Sequence, residues 1–149
     1  MKANLTSLND PKYQQLKDHV KASEHERHYI VDFVSVVDLR AQGKTNDEIA
    51  KIAAEYFDNS QPGEDWESVD EVWAQKHAIE DLRGGLDYGQ TEYALQEDEA
   101  EKIWEEFVEL FNKDRTFYTV SFGDQAHKWR SGILIVDSDK AGVLHIAQG

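Results

Sequence analysis

The apolar pattern of the chain changes its period near Arg115, and this switch restricts the available folds more than any other feature of the sequence. Upstream, apolar residues recur three and four apart, the spacing of helices with one buried face; downstream they alternate or run in short β-branched blocks, the spacing of strands. Strands are expected over 117–122, 132–137 and 143–147, joined by a long loop and by a tight turn at Ser138-Asp139-Lys140-Ala141.

The upstream part carries start and stop signals for about five helices. Asn9-Asp10-Pro11 opens one over 11–22. Ser23-Glu24-His25-Glu26 has capping-box spacing, and the segment to Gln42 sets Ile30, Phe33, Val34 and Val37 on one face against Asp32, Ser35 and Asp38, which favours a mostly buried helix. Gly43 ends it. Thr45 and Glu48 form a second capping box before Ile49, Ile52, Ala53, Tyr56 and Phe57; further helices are expected over 68–83 and 97–113. The reading is an α+β fold in a single domain over 1–149, with the helices packed on a C-terminal three-stranded antiparallel β-meander.

The composition suits such a core, with 40% apolar residues and four Trp, six Tyr and six Phe. Cysteine is absent, so the sequence provides neither a disulfide framework nor a thiolate zinc site, and a reducing, cytoplasmic setting is expected. No apolar run is long enough to span a bilayer, so no membrane role is expected.

The formal charge of −14 argues against direct contact with nucleic acid, whose binding depends on basic surface and counterion release. Its distribution says more than its total. Between Glu55 and Glu109 there are 18 acidic residues and three basic ones, whereas the rest has 12 acidic and 13 basic. Within that stretch Glu97, Glu101, Glu105 and Glu109 stand at i, i+4 spacing, about 6 Å apart along a helix axis, and each like-charged pair costs about 0.2–0.5 kcal/mol. Lys102 offers relief through Asp98 and Glu106. With Glu64, Asp65, Glu67, Asp70 and Glu71, this ladder forms a candidate surface for a basic protein partner. A solvated face of an acidic protein, screened by salt, is the plainer explanation. Trp66 and Trp73 sit in the same stretch; burial is expected for both, with Trp66, at a loop edge, the better candidate for an exposed partner anchor.

Three other patterns carry chemical readings. Residues 43–53, Gly-Lys-Thr-Asn-Asp-Glu-Ile-Ala-Lys-Ile-Ala, resemble the first helix of a helix-turn-helix DNA-binding unit, where a Gly-x-[Ser/Thr]-x-x-Glu-Ile-Ala string often occurs. The resemblance implies a regulatory protein with a reading helix close behind. In this chain, however, the string leads into an acidic Pro62-Gly63 loop and then a helix carrying Asp70, Glu71, Glu80 and Asp81, which a phosphate groove would repel. His25, His28 and Asp32 fall at i, i+3 and i+7, so on a helix they could ligate a metal in a metal-assisted enzyme. Asp137-Ser138-Asp139-Lys140-Ala141-Gly142 resembles the opening of a calcium loop, but Ala141 and Gln148 replace its later ligands and a hairpin turn is expected.

No phosphate loop, nucleophile elbow or Cys-His arrangement is present in the sequence, and no cofactor is expected. The leading expectation is a small, non-catalytic acidic protein that engages a basic partner. Immunity proteins, anti-restriction proteins and phage or mobile-element inhibitors, some acting by nucleic-acid mimicry, are of this type.

Overall fold

The segment from residue 28 to 35 shows how the chain is organised, because it is a strand where the helical pattern predicts a helix. In the computed structural model, which describes residues 5–22, 28–57, 66–83, 96–123 and 129–148, the elements run β1 (Thr6–Ser7), α1 (Pro11–Ala22), β2 (His28–Ser35), α2 (Val37–Ala41), α3 (Asn46–Phe57), β3 (Glu67–Val69), α4 (Glu71–Leu82), α5 (Glu97–Glu109), β4 (Thr116–Gly123), β5 (Trp129–Val136) and β6 (Lys140–Gln148).

The expected three-stranded meander is therefore corrected to a six-stranded sheet, antiparallel throughout, in the order β1-β2-β6-β5-β4-β3. β2 joins β6 along its whole length, from His28 opposite Ala147 to Ser35 opposite Lys140. This long-range partner outweighs the local helical pattern, since Tyr29, Ile30, Val31, Phe33 and Val34 are residues that pack well on a pleated surface. β1 and β3 extend the two edges by two and three residues. The helix expected over 24–42 is left as α2, five residues long. The Ser23–Glu26 box lies outside the described residues.

The sheet is packed on both faces. Tyr29, Val31, Phe33, Phe117, Ile133, Ile135 and Leu144 meet α1, α4 and α5 on the first face. Val34, Tyr118, Leu134, Val136, Ala141 and Val143 meet α2 and α3 on the second. Rings dominate the first face: Phe33 lies 4.7 Å from Tyr13, 5.7 Å from Phe107 and 5.9 Å from Phe111, centroid to centroid. Gly142, opposite Phe33 on β6, makes room for them, because a Cβ there would come within 2.6 Å of Phe111 Cζ and 2.7 Å of Phe33 Cδ1.

Local chemistry fixes the ends of the elements. Thr45 Oγ1 accepts from Glu48 N at 3.2 Å while Thr45 N donates to Glu48 Oε1 at 3.0 Å, completing the expected capping box of α3. Asp70 accepts from Trp73 N at 2.7 Å and caps α4. Between β5 and β6, buried Asp137 takes Asp139 N and Lys140 N on Oδ1, and Asn112 N and Lys140 Nζ on Oδ2, each at 2.8 Å. Burial alone would raise its pKa, but these bonds outweigh it and hold the carboxyl below its ordinary value. The stretch that resembles a calcium loop is thus a hairpin closed by its own lysine. Among the described residues, no helix is long and apolar enough to cross a membrane.

Candidate partner-binding surface

Helix α5 carries most of the candidate surface. Ala100, Ile103, Trp104, Phe107 and Val108 are buried against the first face of the sheet, so the helix is held along its whole length. The acids between them divide into two groups. Glu99 and Glu106 turn toward α1, where His19 Nε2 and Nδ1 lie 2.5 Å from Glu99 Oε1 and Glu106 Oε2. Burial lowers the His19 pKa, but the two carboxylates outweigh this and leave it above its ordinary value.

Glu97, Glu101, Glu105 and Glu109 are exposed on the other flank. Arg83 at the end of α4 lies 3.8 Å from Glu97 at the start of α5, and Arg115, beyond α5, lies 3.2 Å from Glu71 at the start of α4. The two helices therefore run antiparallel, with α1 on one side of α5 and α4 on the other. The ladder follows the α4 side, drifting outward by about 40° at each i, i+4 step. Among the described residues, Glu101, Glu105 and Glu109 make no ion pair, and Lys102 pairs with neither Asp98 nor Glu106. Glu106 is instead engaged by His19, and Asp98 Oδ1 accepts from Glu99 N at 2.9 Å.

The other candidate residues do not join this ladder as one uninterrupted patch. Glu64 and Asp65 lie outside the described residues. Glu67 is exposed on edge strand β3, opposite Thr119. Asp70 serves as a cap, and Glu71 is held by Arg115 at 3.2 and 3.3 Å. Trp66 is half-buried against the second core. For Trp73 the expected burial is corrected, and it is the more exposed of the two: it is 48% exposed and stacked on His77 at 4.9 Å, next to Val72 at 79%. Its expected burial rested on helical spacing from Val69, but Val69 belongs to β3. The signal for the true buried stripe was Ala74, Ala78 and Leu82, which turns Val72 outward.

The metal reading loses its helical premise. Residues 28–35 are a strand, on which His28 and Asp32 stand about 13 Å apart along the axis, and Asp32 Oδ1 accepts from Lys17 Nζ at 3.1 Å. His25 lies outside the described residues, among which no group of three or more His, Asp or Glu could hold a metal ion. In the helix-turn-helix string, Ile49, Ala50 and Ala53 are buried against the sheet, and the next described element is β3.

Two polar networks escaped the sequence reading. His77 Nε2 lies 3.2 Å from Asp81 Oδ2, and burial holds the imidazole below its ordinary pKa although the Val120 carbonyl and Glu80 act against this. On the second face the Tyr118 hydroxyl donates to Asp47 Oδ1 at 2.6 Å, and Asn46 Nδ2 donates to Thr116 Oγ1 at 2.8 Å. His77 and Asp81 stand one helical turn apart, whereas the contacts of His77 with Val120, of Tyr118 with Asp47 and of Asn46 with Thr116 join residues distant in sequence, which nothing local announces.

Comparison of the chain with protein-family models, with curated proteins and with solved structures gives no match.

Proposed function

We propose that the chain is a small acidic binding protein that meets a basic protein partner with the outer flank of α5, in the manner of an inhibitor. One observation carries this reading: Glu101, Glu105 and Glu109 are exposed at successive helical turns on a helix fixed by a buried aromatic face, and they form no ion pair among the described residues. Such an array costs stability in the free protein. A cationic surface reverses that cost and is drawn to it from a distance. Exposed Val72 and Trp73 on the neighbouring helix α4 offer apolar surface to the same partner. A partner that ordinarily meets phosphate backbones offers the density of Lys and Arg that such a ladder complements.

The test is affinity capture at low salt on two immobilised baits, the wild-type chain and Glu101→Lys/Glu105→Lys. The expected result is a basic protein retained by the wild type, released by salt of about 0.5 M, where screening is strong, and missing from the reversed bait. Retention by both baits, or of no basic protein, removes the reading.

A further inference from the structure

A second site lies where the N-terminal end of α1, the C-terminal end of α5 and the β5–β6 hairpin meet. There a cavity of about 430 Å³ opens between the elements, well within the roughly 300–1,000 Å³ of small-molecule sites. Its inner wall holds two polar side chains whose hydrogen-bonding capacity the protein does not fill. Tyr13 is only 4% exposed, yet its hydroxyl has no hydrogen-bond partner among the described residues. Lys140 is 5% exposed, and of the three donors on its ammonium only one is taken, by Asp137 Oδ2 at 2.8 Å. Both side chains line the same cavity, so their spare hydrogen-bonding capacity is open to its contents. Burial raises the Tyr13 pKa, helped by the charges of Asp10, Asp137 and Asp139, while the charge of Lys140 acts against the rise.

Lys12 and two carboxylates complete the charged lining. Glu109, without an ion pair among the described residues, stands at the C-terminus of α5, where the helix dipole already favours a cation. Asp139 joins it, with Oδ2 accepting from Asn112 Nδ2 at 2.9 Å. Leu8, Leu110 and Val37, the last 54% exposed at the rim, supply apolar wall. We propose that this cavity binds a small zwitterion, a free α-amino acid with an apolar side chain, with its carboxylate against Tyr13 and Lys140 and its ammonium toward Glu109 and Asp139. A simple anion would have to approach a chain of charge −14 and would make no use of those two carboxylates, and a simple cation would make no use of Tyr13 and Lys140.

The probes are leucine, 4-methylpentanoate, which lacks the ammonium, and 3-methylbutylamine, which lacks the carboxylate, each titrated into ¹⁵N-labelled full chain. Leucine is expected to give saturable amide shifts at Tyr13, Val37, Phe111 and Lys140, with both analogues binding more weakly. Tyr13→Phe keeps the ring and is expected to weaken leucine binding about fivefold. Val37→Glu, at an exposed position, places a carboxylate at the mouth and is expected to weaken it as well, even if Tyr13→Phe disturbs the fold. Absence of saturable shifts with leucine overturns the proposal, as does equal binding of either analogue or unchanged affinity in a folded variant.

Discussion

The two faces of the sheet are packed by opposite means. On the first, α1 and α5 deliver large rings, with Tyr13, Trp104 and Phe107, and Phe111 just beyond α5, gathered around Phe33 and Phe117, while α4 adds Ala74, Ala78 and Leu82. On the second, α3 comes close through Ala50, Ala53 and Ala54, and the polar rim is tied by Tyr118 to Asp47 and by Asn46 to Thr116. A ring-filled interface holds its helices by inward area and leaves their outer surface free for charge. An alanine-filled interface depends on close fit and on hydrogen bonds at its margin. Self-repelling acids are tolerated on α5 because that helix is anchored from within.

Opposite substitutions should therefore injure the two faces. Phe107→Ala opens a cavity among the rings and is expected to cost about 3–5 kcal/mol of unfolding free energy. Ala53→Leu overfills the close contact on the other face and is expected to cost about 1–3 kcal/mol. Urea unfolding of both variants checks the ranking; a larger loss from Ala53→Leu would reverse the comparison.

These two packing modes also explain what could be read from the sequence. α3, α4 and α5 were legible because their signals are local: the Thr45–Glu48 box, the helix start expected at 68, two residues before the observed cap Asp70, and the apolar stripe from Ala100 to Phe107. β2 was not. Val31 and Phe33 are buried on one face and Val34 on the other, so the strand lacks the clean alternation that marks a half-exposed strand, and its identity comes from β6, more than a hundred residues away. β1 and β3, of two and three residues, are too short to show a period. The acidic ladder was visible because helical spacing alone sets it. Its separation from Glu99 and Glu106 depends on His19, which arrives from α1 through tertiary packing.

That His19 contact sharpens the comparison at a smaller scale, since it ties α1 to α5 on the first face. Its folded pKa is raised above the ordinary 6.5, so its contribution is complete below that value and is lost as pH rises through the folded pKa. The stability difference between wild type and His19→Gln should be largest near pH 6 and shrink on the alkaline side of neutrality. Urea midpoints across that range measure it, and a difference independent of pH would show that the contact is packing without charge.

The smallest expected effect bears most directly on the central claim, that the α5 acids repel one another until a cationic surface meets them. Glu101→Lys turns the repulsive contacts with Glu97 and Glu105 into attractive ones, so the free protein should gain up to about 1 kcal/mol at low salt, and the gain should fade as salt screens it. Thermal unfolding of wild type and Glu101→Lys at low and high ionic strength makes this measurement. A variant less stable than wild type, or a gain indifferent to salt, would contradict the account.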